Sequence, residues 1–336
     1  LRVGPELGEF VWEDLDGDGV QDLDEFREEL TPLEGEYVRS FVPGDALIPS
    51  VGVQGRLRLR LDGAQLAGVN LPAAAPGWRR ALAAVTSLTT LDVQERTEAD
   101  DAGVYVLSPW WLQQEGQTLN GRFRVGQELA FFRNRARYGG RLAASHLQAL
   151  NRLSTGREAR TIQTLEGEAR AQVAPPLGLR LRAQVERNDA DSPFASRTYA
   201  IRGLEAEPEA TWTLSPNVTL TGGVRLARNR DTAGPDGLTA RILILPVRAR
   251  FAVANRAQLF LQAERADVAL DGPALAAGQA LFELTERRGT GVSYLWSTTG
   301  QYTLNAYLRA SLTYEGRAPS AGPVVHNLRV QLSAVF

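Results

Sequence analysis

The stretch "QYTLNAYLRASLTY", residues 301–314, repeats every two residues. Tyr302, Leu304, Ala306, Leu308, Ala310, Leu312 and Tyr314 fall on one side of an extended chain. Gln301, Thr303, Asn305, Tyr307, Arg309, Ser311 and Thr313 fall on the other. Successive side chains of a strand point to opposite faces, so this pattern specifies a β-strand with one greasy and one wet face. The closing "NLRVQLSAVF" behaves alike: Leu328, Val330, Leu332, Ala334 and Phe336 alternate with Asn327, Arg329, Gln331 and Ser333. Leu57, Leu59 and Leu61 oppose Arg56, Arg58 and Arg60; Leu179, Leu181 and Val185 oppose Arg180, Arg182 and Glu186. Leu165, Ala169, Ala171 and Val173 oppose Glu166, Glu168, Arg170 and Gln172, and Leu220, Val224 and Leu226 oppose Thr219, Thr221 and Arg225.

Segments of about 10 to 14 residues exceed the usual strand of a water-soluble sheet and match a tilted strand that crosses a bilayer. Strands are predicted at 36–42, 51–61, 82–97, 119–132, 139–151, 162–173, 177–187, 199–213, 218–229, 239–253, 257–268, 288–296, 301–314 and 324–336. The expected fold is all-β: a transmembrane antiparallel up-and-down barrel of about fourteen strands over residues 36–336, with residues 1–35 as a separate lead-in.

Connection lengths supply an independent test. "APP" (174–176), "SPN" (215–217), "ANRA" (254–257) and "STTG" (297–300) are short, and between them come the longer stretches 188–196, 229–237, 271–289 and 315–323. Alternating short and long connections suit tight periplasmic turns and longer extracellular loops, with both termini periplasmic. Trp212, Trp296, Tyr302 and Phe336 fall beside short turns or at the C-terminus, and with Tyr314 they are assigned to aromatic girdles.

Composition removes several alternatives. The net charge of −2 gives no electrostatic footprint for nucleic acid. Every one of the 37 cationic residues is arginine, and with no cysteine, disulfides and thiolate metal sites are excluded. No apolar run approaches the roughly 18 residues of a membrane-spanning helix. The absence of methionine, even at position 1, points to a chain that begins inside a longer gene product.

Near the start stands "DLDGDGVQDLDE", residues 14–25. Asp14, Asp16, Asp18, Val20, Asp22 and Glu25 occupy positions one, three, five, seven, nine and twelve of an EF-hand loop, and Gly19 occupies the sixth, where the chain must turn sharply. Alternate carboxylates wrap a hard cation with oxygen, and a terminal glutamate closes the shell in bidentate fashion. The preceding "GEFVWE" reads as a strand, so the expectation is a solitary structural Ca2+ clip; an acidic surface turn without metal is the alternative.

The alternating strands and the terminal "NLRVQLSAVF" resemble the outer-membrane β-barrels of Gram-negative bacteria. Leu332, Ala334 and the final Phe336 look like the signal read by the barrel-assembly machinery. The opening "GEFVWEDLDGDGVQDLDEF" with "EYVRSFVPGD" resembles the segment before the C-terminal barrel of some large bacterial surface proteins. What the resemblance implies is an outer-membrane location, contact with outer-membrane lipids and the assembly machinery, and a possible surface partner. It carries no substrate.

On the wet face, Glu166, Glu168, Arg180, Arg182, Glu205, Glu207, Glu209, Arg225, Arg309 and Arg329, with Arg56, Arg58 and Arg60, are expected to line a lumen. If strands pair in sequence order, acids and bases face each other across the wall, either as a charged constriction or as an ion-pair ladder; the interleaved signs favour the ladder. Arg56, Arg58 and Arg60 are the clearest one-sign cluster, able to attract anions or simply to form a solvated face. Ser145 and His146 are strand neighbours on opposite faces and cannot form a dyad, and His326 has no serine on its face, so no enzyme is expected. Trp110 and Trp111 in "SPWWLQQEG" would sit in a long loop. The reading is a porin-like channel with an Arg/Glu lumen. Its alternatives are a non-conducting anchor or subunit of a surface or secretion assembly, and a soluble all-β binding protein.

Overall fold

The computed structural model describes residues 2–4, 8–14, 19, 21, 25–28, 35–38, 49–68, 76–98, 113–114, 116–133, 135–153, 156–194, 197–233, 237–253, 256–272, 279–305 and 307–334. The chain divides into two units, Leu1–Pro49 and Ser50–Phe336.

In the first unit β1 (Phe10–Trp12) pairs antiparallel with β2 (Phe26–Glu28), so the acidic loop is closed at its base by a two-stranded ribbon. Tyr37 makes isolated bridges to Arg2 and Phe10, and its ring meets Phe26 edge-on at 5.1 Å. Of the strand expected at 36–42, residues 36–38 therefore belong to this unit, and 39–42 lie outside the described residues.

The second unit is a single antiparallel sheet of fourteen strands. They are β3 (Val51–Asp62), β4 (Val85–Thr97), β5 (Thr118–Phe131), β6 (Tyr138–Leu153), β7 (Gly156–Ala174), β8 (Leu177–Asp191), β9 (Tyr199–Ser215), β10 (Val218–Gly223), β11 (Arg225–Asp231), β12 (Thr239–Val253), β13 (Ala257–Asp271), β14 (Gly291–Thr303), β15 (Leu308–Ala318) and β16 (Val325–Ala334). Neighbours in sequence are neighbours in the sheet. β10 and β11 are two halves of one ribbon between β9 and β12, interrupted after Gly222 and Gly223. The path runs from β3 to β16, and no pairing joins those two edges among the described residues.

The register shows why a two-residue period is so strong a constraint. Val185 stands opposite Leu165 on one side and Leu204 on the other; one residue along, Gln184 stands opposite Glu166 and Glu205. The apolar row continues as Ala206, Leu226 and Leu243 across β9, β11 and β12. Farther on, Tyr302, Ala310 and Leu332 align across β14, β15 and β16, as do Gly300, Leu312 and Val330. A slip of one residue in any pair would send every leucine to the wet side, so the pattern itself fixes the pairing. The apolar face is open: Leu204 is 58 % exposed and Leu332 is 70 % exposed.

Three expectations are corrected. "STTG" is not a turn: residues 297–300 lie inside β14, and the chain reverses at 304–307, where the Asn305 carboxamide oxygen accepts from the amides of Tyr307 and Leu308, each at 2.8 Å. The alternation there was already in phase, because Tyr302 and Ala310 share the apolar face across the true turn. Second, residues 77–83 form α2 (Gly77–Ala83), so the strand expected from 82 begins at Val85. Third, the turns at one end of the sheet are not all short. Connections 132–137, 175–176, 216–217, 254–256 and 304–307 are, but 63–84 at that same end holds α2 and α1 (Gly63–Ala67), the latter started by the Asp62 carboxylate accepting from the Ala64 amide at 3.1 Å. Among the described residues no helix is long and apolar enough to cross a membrane, which says nothing about strands.

Candidate functional site

The polar face of β7, β8, β9 and β11 gathers the charged residues read from the sequence. Glu205, Glu207 and Glu209 occupy alternate positions of β9, and Arg180 and Arg182 face them from β8. Arg182 meets Glu166 at 2.8 Å, Glu207 at 3.7 Å and Glu205 at 3.8 Å. Arg180 meets Glu209 at 3.1 Å, Glu207 at 3.6 Å and Glu168 at 3.8 Å. Arg225 meets Glu205 at 2.5 Å, Arg248 meets Glu209 at 3.1 Å, and Arg141 on β6 joins the network through Glu166 and Glu168. Every glutamate has a cation on at least one flank, so this part of the wall is a ladder of alternating charge. Glu205 and Glu207 are buried, which a carboxylate tolerates only with such partners.

The other predicted residues are dispersed. Arg56 pairs with Asp92 at 2.8 Å. Arg58 and Arg60 stand opposite Thr90 and Leu88 and form no ion pair among the described residues. Arg309 and Arg329 lie on the same face of β15 and β16, opposite Thr303 with Ser333 and opposite Thr313.

What the sequence reading missed is a helix. Within the connection 272–290, α3 (Gln279–Leu284) folds onto the polar face. Leu284 is fully buried in a cluster with Tyr199, Ile201, Leu238 and Ala240, with Leu281 and Ala280 packed beside it. Tyr199 and Ile201 share their side of β9 with Glu205, so the wet face carries an apolar patch at this end, and α3 covers it. Three ion pairs fasten the cover: Glu283 to Arg160 at 3.3 Å, Glu286 to Arg225 at 2.8 Å and Arg288 to Glu264 at 2.6 Å. The Asn229 carboxamide donates to the Leu284 carbonyl at 2.9 Å, closing off the helix end. Glu286 and Arg287 have φ of 52° and 64°, a left-handed turn that costs about 1–2 kcal/mol per residue; Glu286 reaches back to Arg225, and Arg287 lies over the Phe282 ring at 5.7 Å. A cavity of about 250 Å3 remains between loop and wall, lined by Glu186, Glu205, Arg225, Asn229, Glu283 and Arg287. The visible signal was "ALFELTERR": Leu281 and Leu284 at helical spacing followed by charges complementary to the ladder.

On the apolar face the aromatic residues take two places. Trp212 and Tyr302 lie near the ends of β9 and β14 that bear short turns. Trp296 and Tyr314 sit instead toward the other end with His326, whose ring stacks on Tyr314 at 6.0 Å while its Nδ1 meets the Tyr314 hydroxyl at 2.9 Å. His146 contacts Gln163 at 3.3 Å, and Ser145 is on the opposite face. Leu332 and Ala334 continue the apolar face of β16; Phe336, Trp110 and Trp111 lie outside the described residues.

In the acidic loop, Asp16, Asp18, Val20 and Asp22 lie outside the described residues. The ends of the motif are described. The Asp14 carboxylate accepts from the Gly19 amide at 3.0 Å, and Gly19 has φ of 72°, the conformation the sixth position requires. Glu25 is buried and accepts from the Trp12 indole N–H at 2.8 Å.

The chain is thus an all-β protein built on a fourteen-stranded antiparallel sheet with one apolar and one charged face. A scan of protein-family models and a search of curated proteins found no match to it.

Proposed function

We propose that this sheet closes into a β-barrel in the outer membrane, with the leucine face against lipid and the charged face around an aqueous lumen that conducts small solutes. The observation that carries the reading is the register: across β7–β16 the exposed leucines and valines gather on one face, Leu295 and Val325 excepted, an arrangement a water-exposed sheet would leave as a very large apolar surface. Hydrocarbon removes that penalty, and closure removes the unpaired edges of β3 and β16. Thirteen strands lie along the path, with β10 and β11 counted as one ribbon, so β3 and β16 run in the same direction; closure takes a parallel pair or one further strand. The α3 loop, lying on the charged face, narrows the lumen, and the ladder beneath it keeps the wall stiff. The first unit holds a structural Ca2+ between Asp14 and Glu25 with the carboxylates between them. No enzymatic step is assigned.

The test is conductance. The purified chain in planar bilayers is expected to pass ions, and replacing Arg56, Arg58 and Arg60 by glutamate is expected to move ion preference toward cations. Silence in bilayers with stable insertion overturns the channel.

One observation favours the second reading, a membrane subunit of a larger assembly. On the apolar side of β4 and β5 the Gln127 carboxamide accepts from Thr89 at 2.6 Å and donates to Ser87 at 2.7 Å. Such a polar group is better suited to a protein neighbour than to hydrocarbon. Under that reading the protein conducts nothing and leaves native membranes with a stoichiometric partner.

A further inference from the structure

The apolar face changes character near the end of the sheet that bears connections 192–198 and 232–238. Arg187, Arg202, Arg228, Arg230 and Arg241 all point from it, on β8, β9, β11 and β12. Arg202 is in direct register with Arg187 on one side and Arg230 on the other, and Arg228 is in register with Arg241. Like charges placed opposite one another destabilise a strand pair, so this arrangement needs an external anion to be favourable. The protein supplies only part of it. Arg187 pairs with Asp189, and Arg241 with Asp271 at 2.7 Å. Arg202, Arg228 and Arg230 form no ion pair among the described residues, and the other acids of this face nearby, Asp191 and Asp267, make none with them.

A second observation gives the anion a body. Directly beside Arg228 and Arg241 is a groove of about 470 Å3 floored by Ala206, Leu226, Leu243 and Ala269. At the next outward positions Pro208 and Ala210 on β9, with Gly222 on β10 and Leu179 and Leu181 on β8, line a separate hollow of about 640 Å3. The two hollows follow one another along β9, so small side chains flanked by Leu204 and Leu181 lead away from the arginines over a mainly aliphatic floor, with the Asp267 carboxylate also lining the first hollow.

We infer that this face binds a lipid bearing phosphate: the headgroup lies on Arg202, Arg228 and Arg230, and an acyl chain lies along the two hollows from Ala206 to Gly222. Guanidinium groups match phosphate oxygens in bidentate fashion, and neutralisation relieves the repulsion between the registered arginines. The site rests on the reading that this face meets a bilayer.

The experiment uses the full chain reconstituted in phosphatidylcholine vesicles, with and without phosphatidic acid, followed by native mass spectrometry of the extracted protein. Flotation with pure phosphatidylcholine vesicles tests the membrane reading by itself; a chain that does not float overturns both. For a chain that floats, retention of phosphatidic acid over phosphatidylcholine is expected. Each basic residue near an anionic lipid is worth about fivefold in affinity, so the triple variant R202Q/R228Q/R230Q is expected to lose that preference by on the order of tenfold or more. Ala206→Phe, which fills the first hollow and leaves the arginines, is expected to weaken retention while still floating. Equal retention of both lipids, or a preference untouched by the triple variant, overturns the site. Displacement of phosphatidic acid by inorganic phosphate at equal concentration assigns the arginines to a soluble anion and likewise overturns it.

Discussion

Arg225 on β11 and Glu286 beyond the end of α3 meet at 2.8 Å, and this contact ties the inserted loop to the charge ladder of the wall. Arg225 also holds Glu205, so one guanidinium serves both the strand network and the loop.

The two partners are therefore unequal. Glu286→Gln removes the loop's hold alone, whereas Arg225→Gln strips the buried Glu205 of its nearest cation. Breaking a buried pair from one side costs about 3–5 kcal/mol, and the Arg225 variant is expected to be the less stable by a clear margin. A double-mutant cycle read by denaturant unfolding in detergent should give a coupling of about 0.5–3 kcal/mol. A coupling of zero would show the contact to be incidental.

Leu284→Ala is expected to release α3. Removing a fully buried leucine costs about 2–5 kcal/mol, and here the loss falls on one short helix whose departure leaves the sheet intact. Amide exchange of residues 279–290 should rise while that of β7 and β8 stays slow, and any conductance should increase. Unchanged protection of the helix contradicts the packing described.

Gly316 owes its identity to Trp296, whose ring lies 2.3 Å from where a Cβ would stand. Gly316→Ala is expected to push the indole off its seat beside His326 at about 1–3 kcal/mol, with a shifted tryptophan emission. Combining it with Trp296→Leu should recover most of the loss, and failure to recover would assign the glycine to backbone needs instead.

Calcium binding is expected to be visible at Trp12, because its indole donates to Glu25, which occupies the twelfth position of the loop motif. Titration with Ca2+ should change Trp12 emission relative to Trp12→Phe, and excess metal at about a hundred times Kd should stabilise the first unit by about 2.7 kcal/mol. Glu25→Gln should abolish both effects. A loop indifferent to Ca2+ in calorimetry and fluorescence is an acidic turn and nothing more.

The sheet was legible in the sequence because its determinant is local. Leu165, Val185 and Leu204 announce their face by parity, and antiparallel neighbours with short connections have little choice of partner, so the ladder of Glu166, Arg182 and Glu207 followed from the same parity. Even the misplaced turn at "STTG" left Tyr302 and Leu312 on the right face, since residues paired across the true turn, such as Tyr302 and Ala310, differ by an even number of positions and so keep one parity. Hidden from the sequence were the features that depend on what folds over what. Nothing in "YAIRGLEAE" says that Tyr199 and Ile201, on the wet side, need a cover, nor that residues 279–284 provide it from 78 or more positions away. Alternation specifies which side of a strand a residue occupies, because that is fixed by its own backbone. Only the tertiary structure decides which distant segment lies against that side, because complementary shape and charge between segments remote in sequence leave no period to read.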